Sequence, residues 1–270
     1  MADNAPLTCL VLAASRKGVE DPVAKLQNRT HKCLVTLDGQ PMLERVIQAL
    51  MDSRCFTRIL VSIENKMVLA GLPDTQRWLK EGRIALVPSA DNLADSLIHV
   101  YEQDKELLPV VITTADNALH TPALVRDFVR AFMASEADVS VAATTEEVVL
   151  KDYANEGFNF FRFRDGGYSF CNLFGIRTPA GVDAVNIFRS GGQFRKKPWR
   201  ILKVFGVMPL IQYRFRLSTF ATIFKLVGSK LGINLAPVLL DYPFGPVDVD
   251  NANSFRITEM TLKKRRRAKI

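Results

Sequence analysis

The sequence predicts an α/β protein in three layers, a mostly parallel mixed sheet with helices on both faces, carrying a basic and apolar helical insert. Three observations lead there. The short apolar runs at 7–14, 58–63, 84–87, 109–113 and 138–143 are largely unbroken, as in strands covered on both faces. Stretches of helical period separate them, so strand and helix alternate at the spacing of right-handed crossovers. Polar residues capable of chemistry stand just after these runs, at the carboxyl ends of strands, where open α/β sheets bind ligands.

Composition sets the limits. A chain of 270 residues that is 48% apolar can bury one large core with an added subdomain. No apolar run reaches the length of about eighteen residues that a membrane span needs. The opening Met1-Ala2-Asp3-Asn4-Ala5-Pro6 lacks the basic and then apolar segments of a secretory signal, so the cytoplasm is the expected compartment. Cys9, Cys33, Cys55 and Cys171 have no C-x-x-C spacing and read as reduced core residues, while His31, His99 and His120 form no ligand pattern with them. The net charge of +8 is uneven: Ala184 to Leu240 holds ten Lys or Arg and no acid, and Thr261 to Ile270 holds six more. Those two segments carry +16, which leaves the remainder near −8.

The first strand, Leu7 to Ala14, runs into the polar loop Ser15-Arg16-Lys17-Gly18. Small residues let backbone N–H groups approach a phosphate, and a nearby Lys adds a point charge. After the loop come His31-Lys32-Cys33-Leu34-Val35-Thr36-Leu37-Asp38-Gly39-Gln40-Pro41-Met42-Leu43 and a helix through about Met51. This stretch resembles the opening of the nucleotidyltransferase superfamily, in its molybdenum-cofactor guanylyltransferase-like branch. That pattern is a strand ending Leu-Ala-Ala/Gly-Gly, a phosphate-binding loop, a Lys before Leu, then Leu-x-Gly-x-Pro-Leu/Met at a helix start. The chain departs from it at Ala14-Ser15, where the double Gly is usual, and it lacks the Arg-Met ending. The resemblance implies a Rossmann-like fold of the nucleotide-diphospho-sugar transferase type. It also implies phosphate contacts from Leu12, Ala13, Ala14, Ser15, Lys17 and Gly18, and catalytic roles for Lys32 and Arg16. Read without the resemblance, the same residues make an ordinary first βα loop.

Strands are expected at Arg58–Ile63 and Ile84–Val87, with a helix at Pro73–Lys80 between them and another from Asn92 to about Glu106. Asn92-Leu93-Ala94-Asp95-Ser96-Leu97 resembles the family segment that contacts base and ribose, which makes Asn92 and Ser96 nucleotide-binding candidates. A plain helix cap from Asp91 or Asn92 explains the same residues.

Pro109-Val110-Val111-Ile112-Thr113-Thr114-Ala115-Asp116 delivers a carboxylate at the end of a strand, and Thr121-Pro122 opens the next helix with a capping hydroxyl and Pro at its first position. Asp116 resembles the family's metal ligand, where a carboxylate holds Mg²⁺ against the α-phosphate. Alternatively it is a turn residue bonding its own backbone. After a strand at 138–143, Phe158–Arg164 and Tyr168–Phe174 form a hairpin about Asp165-Gly166-Gly167. By resemblance its Asn172 contacts the acceptor; by packing alone the hairpin is an aromatic cross-strand pair.

The span 184–240 interleaves cations with Phe, Trp, Leu and Ile, and a helix is expected over Leu217–Leu231. Such a segment suits an anionic membrane surface, a lid over a phosphorylated acceptor, or solvated helices. Pro246-Val247-Asp248-Val249-Asp250 resembles the family's closing Asp-Ile-Asp; as a short strand it would turn Asp248 and Asp250 to one face, as metal ligands beside Asp116. Lys263 to Arg267 reads as a solvated basic tail.

The expected organisation is an NTP transferase core at 1–183 and 241–260, the insert at 184–240 and the tail at 261–270. The implied reaction moves NMP from an NTP to a phosphorylated small-molecule or lipid-precursor acceptor and releases pyrophosphate, with Mg²⁺ or Mn²⁺. The expected location is cytoplasmic and peripheral at a membrane, with nucleic acid not expected as a partner. Two rivals stay open on sequence: a glycosyltransferase using Asp248-Val249-Asp250 as its Asp-x-Asp, and a non-catalytic membrane or nucleic-acid adaptor.

Overall fold

The computed structural model describes residues 6–15, 18–154, 156–186 and 207–268. Thr8–Leu12 forms the central strand β1. Every one of its residues is buried, and its alternating side chains enter two different cores: Cys9 and Val11 face one, Leu10 and Leu12 the other. A continuous apolar run is what such a two-faced strand requires.

Helices α1 (Met42–Ser53), α2 (Pro73–Lys80), α3 (Leu93–Gln103) and α4 (Pro122–Ala134) alternate with strands β2 (Arg58–Ile63), β3 (Ala85–Pro88) and β4 (Val110–Thr114). Leu43, Ile47 and Leu50 of α1 and Leu124, Phe128 and Phe132 of α4 cover the Cys9 face, whereas Leu97, Ile98 and Val100 of α3 cover the Leu10 face. Burying each Leu, Ile or Phe contributes about 1.5–3 kcal/mol. Next come β5 (Val139–Thr145), α5 (Glu146–Tyr153), the hairpin strands β6 (Phe161–Phe163) and β7 (Gly166–Ile176), and α6 (Pro179–Val185). The chain closes with α7 (Val207–Arg214), α8 (Phe220–Leu231), β8 (Leu235–Leu239) and α9 (Ala252–Arg267).

The sheet order is β8-β5-β7-β4-β1-β2-β3, with β6 paired to β7. β1 runs parallel to β2 and β4, β2 to β3 and β5 to β8, while β7 is antiparallel to both its neighbours. This is the expected mixed sheet of mostly parallel strands with helices on both sides. Leu12 is level with Ser62 and Thr114, so β1, β2 and β4 deliver the loops that follow them to one edge.

Five local readings are corrected. The hairpin turns at Arg164-Asp165, and Gly166 already pairs with Phe163 in the ladder, at φ +133°. The helix expected from Leu217 starts at Phe220, capped by Thr219. Residues 235–239, read as part of the helical insert, are β8, an edge strand of the main sheet. Residues 246–250 form no strand: Val249 N–H donates to the Asp116 carbonyl at 3.2 Å from an extended loop. The basic run is the last turns of α9, where Arg265 lies 4.0 Å over the Phe244 ring and Arg266 pairs with Asp38 at 3.1 Å. Among the described residues no helix is long and apolar enough to cross a membrane.

Candidate active site

Asp116 stands two residues past β4, where Ala115 N–H still reaches the Leu12 carbonyl at 3.0 Å. One of its oxygens accepts from the Thr114 hydroxyl and the other pairs with Lys32 Nζ. Lys32 belongs to a single 3₁₀ turn, Lys32–Leu34, that follows the first loop. Its ammonium also lies 2.7 Å from Asp250. Burial works against the Lys32 charge, but Asp116 and Asp250 outweigh that cost and raise its pKa.

Asp248 is the third carboxylate. Burial, together with Asp250 and Asp116, pushes its pKa up to about 6, against the opposing pull of Lys32 and a hydrogen bond from Asn172 at 3.3 Å. Asn172 reaches it from an irregularity in β7, where three residues, Cys171 to Leu173, oppose the single Ala142, and Asn172 adopts φ +49°. The same amide also points to Asn117 Oδ1 at 3.4 Å. Asn117 is fully buried and donates to the Thr114 hydroxyl at 2.5 Å. The loop carrying Asp248 and Asp250 is fixed at both ends: His120 Nε2 donates to the Gly245 carbonyl at 3.0 Å, and Ser254 in the capping box of α9 accepts from Asp250 N–H at 2.9 Å. Gly245 is required by space, because a Cβ there would meet Cys171 Sγ at 2.9 Å.

A second group lies across β1. Leu12, Ala14, Ser62, Asn92, Leu93 and Ser96 line one shallow hollow. Asn92 caps α3, accepting from Asp95 N–H at 3.0 Å, and Ser96 accepts from Ala90 N–H at 2.9 Å. Ala13 N–H is already committed to the Ser62 carbonyl at 2.9 Å. Ser15 closes the loop by accepting from Gly18 N–H at 3.0 Å, with Gly18 at φ +48°. Arg16 and Lys17 fall outside the described residues.

The structure therefore gathers Lys32, Asp116, Asn172, Asp248 and Asp250 at one point, and Leu12, Ala14, Asn92 and Ser96 at a neighbouring one. Sequence reasoning missed Thr114, Asn117 and Glu64. Glu64, one residue past β2, accepts from Ser15 N–H at 3.3 Å and meets His31 Nε2 at 2.8 Å. Its only sequence signal was a carboxylate after a strand, the same signal that singled out Asp116.

Among the described residues no trio of His, Cys, Asp and Glu is already arranged around a metal position. The donors nevertheless suit a hard divalent cation. All are carboxylate oxygens: Asp116 and Asp250 share the Lys32 ammonium, and Asp248 stands near enough to feel both of them. The pKa of Asp248 is raised first by burial and then by the charges of Asp250 and Asp116.

A nucleotidyltransferase-type enzyme is what the family match defines on this fold. The model of the MobA-like NTP transferase domain matches residues 10–213, and the chain belongs to that family. Its fold is similar to that of a hypothetical transferase from Thermus thermophilus, at TM-score 0.74 and 21% identity over 93% of this chain and 99% of that one. It is also similar to CMP:2-keto-3-deoxy-manno-octonic acid synthetase solved with CTP, at TM-score 0.58 and 12% identity, covering 96% of this chain and 99% of that one. A 4-diphosphocytidyl-2C-methyl-D-erythritol synthase from Anaerococcus prevotii gives TM-score 0.55 and 11% identity, covering 97% and 100%. At these identities the likeness is one of fold. A search of curated protein sequences finds no match.

Proposed function

We propose that this enzyme transfers NMP from an NTP to a phosphorylated acceptor, with pyrophosphate as the leaving group. The observation that carries the reading is the Lys32 ammonium seated between Asp116 and Asp250 at the carboxyl end of β4, beside the loop that ends β1. An acceptor phosphate oxygen attacks the α-phosphorus, and the bond from that phosphorus to the oxygen bridging it to the β-phosphate breaks. The acceptor is already ionised, so no residue has to take its proton.

The work of the chain is positioning and charge neutralisation. The backbone from Ala13 to Gly18 cradles phosphates with Arg16 and Lys17 in support: Ala13 N–H stays on the Ser62 carbonyl, while Ser15 and Gly18 N–H exchange Glu64 and the Ser15 hydroxyl for phosphate oxygens, and Asn92 and Ser96 flank the base and ribose. Lys32 turns from its carboxylates to the α-phosphate, and Asn172 orients the acceptor. Asp116 with Asp248 or Asp250 would hold Mg²⁺ or Mn²⁺, which supplies charge neutralisation for the phosphates. The acid-free span 184–240 favours an acceptor of lipid metabolism, met by a cytoplasmic enzyme at an anionic membrane surface. Family membership favours this reading over a glycosyltransferase or an adaptor.

The test is thermal stability with ATP, CTP, GTP and UTP, with and without Mg²⁺, on wild type and Asp116→Ala. A ligand confined to the folded state adds roughly 2.7 kcal/mol at a hundredfold excess over Kd. The expected result is a Mg²⁺-dependent rise for one NTP, reduced in the variant. No rise with any NTP would refute the reading.

A further inference from the structure

Helix α7 turns one side chain inward and a stripe of others outward. Tyr213 lies 5.4 Å from Phe163 in the aromatic cluster of the β6–β7 hairpin. Val207, Ile211 and Phe215 recur every four residues along the opposite side, and Phe215 N–H continues the helical pattern by donating to the Ile211 carbonyl at 3.0 Å. With Met208 and Leu217 they are between 40% and 66% exposed, and α7 contains no buried residue. Large apolar side chains grouped like this mark a binding surface rather than ordinary exposure.

Charge narrows what that surface fits. Among the described residues from 207 to 240 the charged ones are Arg214, Arg216, Lys225 and Lys230, all exposed. No Asp or Glu occurs anywhere from 184 to 240. Solvated helices and protein contact faces ordinarily mix both signs. Outward apolar residues whose charged neighbours in the sequence are all cations match a surface that offers hydrocarbon beneath anionic headgroups.

Placement connects the surface to the site. Tyr168 of β7 is level with Thr145 at the carboxyl end of β5, so the hairpin stands at the same end of the sheet as Asp116. The segment from α7 to α8 is fastened to that hairpin. Phe220 stacks on Tyr168 at 4.1 Å, Phe220 N–H donates to Asp165 at 2.9 Å and Arg164 N–H to the Ser218 carbonyl at 3.0 Å.

We infer that Val207, Ile211, Phe215 and Leu217, with Arg214 and Arg216, form a docking face that seats this protein on an anionic membrane, the carboxyl end of its sheet toward the lipid. The inference gives a location to the membrane part of the proposed function and does not depend on nucleotidyl transfer.

The experiment pellets the full chain, without nucleotide, with vesicles of phosphatidylcholine alone and of phosphatidylcholine with phosphatidylglycerol. Wild type is expected to pellet with the anionic vesicles, to stay in solution with the neutral ones, and to be released by added salt. Ile211→Ser with Phe215→Ser is expected to weaken partitioning about tenfold or more. Arg214→Gln with Arg216→Gln is expected to weaken it about tenfold. All four residues are exposed, so the melting temperature should hold in both variants. No pelleting with anionic vesicles, equal pelleting with neutral ones, or variants that pellet like wild type would overturn the inference. A concentration-dependent dimer lost in the Ile211→Ser, Phe215→Ser variant would assign the face to a second copy and overturn it too. The stabilisation by NTP is measured separately, so either idea can fail alone.

Discussion

The Lys32 ammonium bridges Asp116 and Asp250, carboxylates 84 and 218 residues further along the chain. This one cation joins the first loop, the end of β4 and the loop before α9. Lys32→Met leaves three neighbouring carboxylates without it. Removing one partner of a buried pair costs about 3–5 kcal/mol and of an exposed one under about 1 kcal/mol. With Asp116 14% and Asp250 59% exposed, a loss of roughly 1–3 kcal/mol is expected. Mg²⁺ should then stabilise the variant more than it stabilises wild type, because Asp116 and Asp250 no longer have to release the ammonium. Urea unfolding with and without Mg²⁺ checks this, and equal gains would show that metal and ammonium do not compete.

Asn172 combines a left-handed backbone with a side chain aimed at Asp248. Gly accepts φ +49° freely, whereas Ala meets a cost of about 1–2 kcal/mol there. Asn172→Gly should therefore be more stable than Asn172→Ala by about 1 kcal/mol. Both lose the amide, so in both the KM for the acceptor should rise while stabilisation by NTP is kept. A variant whose acceptor KM stays at the wild-type value would remove Asn172 from the acceptor site.

His120 is buried, and burial holds its pKa down to about 4, below the ordinary 6.5, although the Gly245 carbonyl and Asp116 favour its charge. The unfolded chain takes up a proton at about 6.5 that the folded chain declines until about 4. The contribution is thus complete above 6.5 and falls as pH drops toward 4, by up to about 3 kcal/mol. His120→Gln keeps a donor for Gly245 and should flatten the stability profile across that window. An unchanged slope would mean that other groups set it.

The sheet was legible in the sequence because its central strands are covered on both faces and cannot afford polar breaks. Asp116 was legible because it closely follows an apolar strand, and Lys32 because its stretch resembles the family's Lys before Leu. Strand β8 was not: Leu235-Ala236-Pro237-Val238-Leu239 carries a Pro, which argues against a strand except at an edge, and edge position is a property of the assembled sheet. Thr114 and Asn117 were passed over for a related reason. Their hydroxyl and amide matter only once Asp116 and Asn172 are brought beside them. In the basic run Lys263, Lys264, Arg266 and Arg267 are exposed as charge predicts, but nothing local reveals that Phe244 and the Leu119 carbonyl await the Arg265 guanidinium.

That guanidinium sets up a contrast between neighbours on α9. Arg265 lies over Phe244 and donates to the Leu119 carbonyl at 2.9 Å, while Arg267, two residues on, is exposed. Arg265→Ala removes a cation–π contact and leaves a carbonyl unpaired, for an expected loss of about 2 kcal/mol. Arg267→Ala should change stability by less than about 0.5 kcal/mol. The first turn of the same helix holds Asp250 through Ser254. If Arg265 sets the seat of the whole helix, Arg265→Ala should also reduce the Mg²⁺-dependent stabilisation by NTP, and Arg267→Ala should leave it intact. Equal effects of the two substitutions on that stabilisation would mean that their shared charge, and not the seat of α9, governs it.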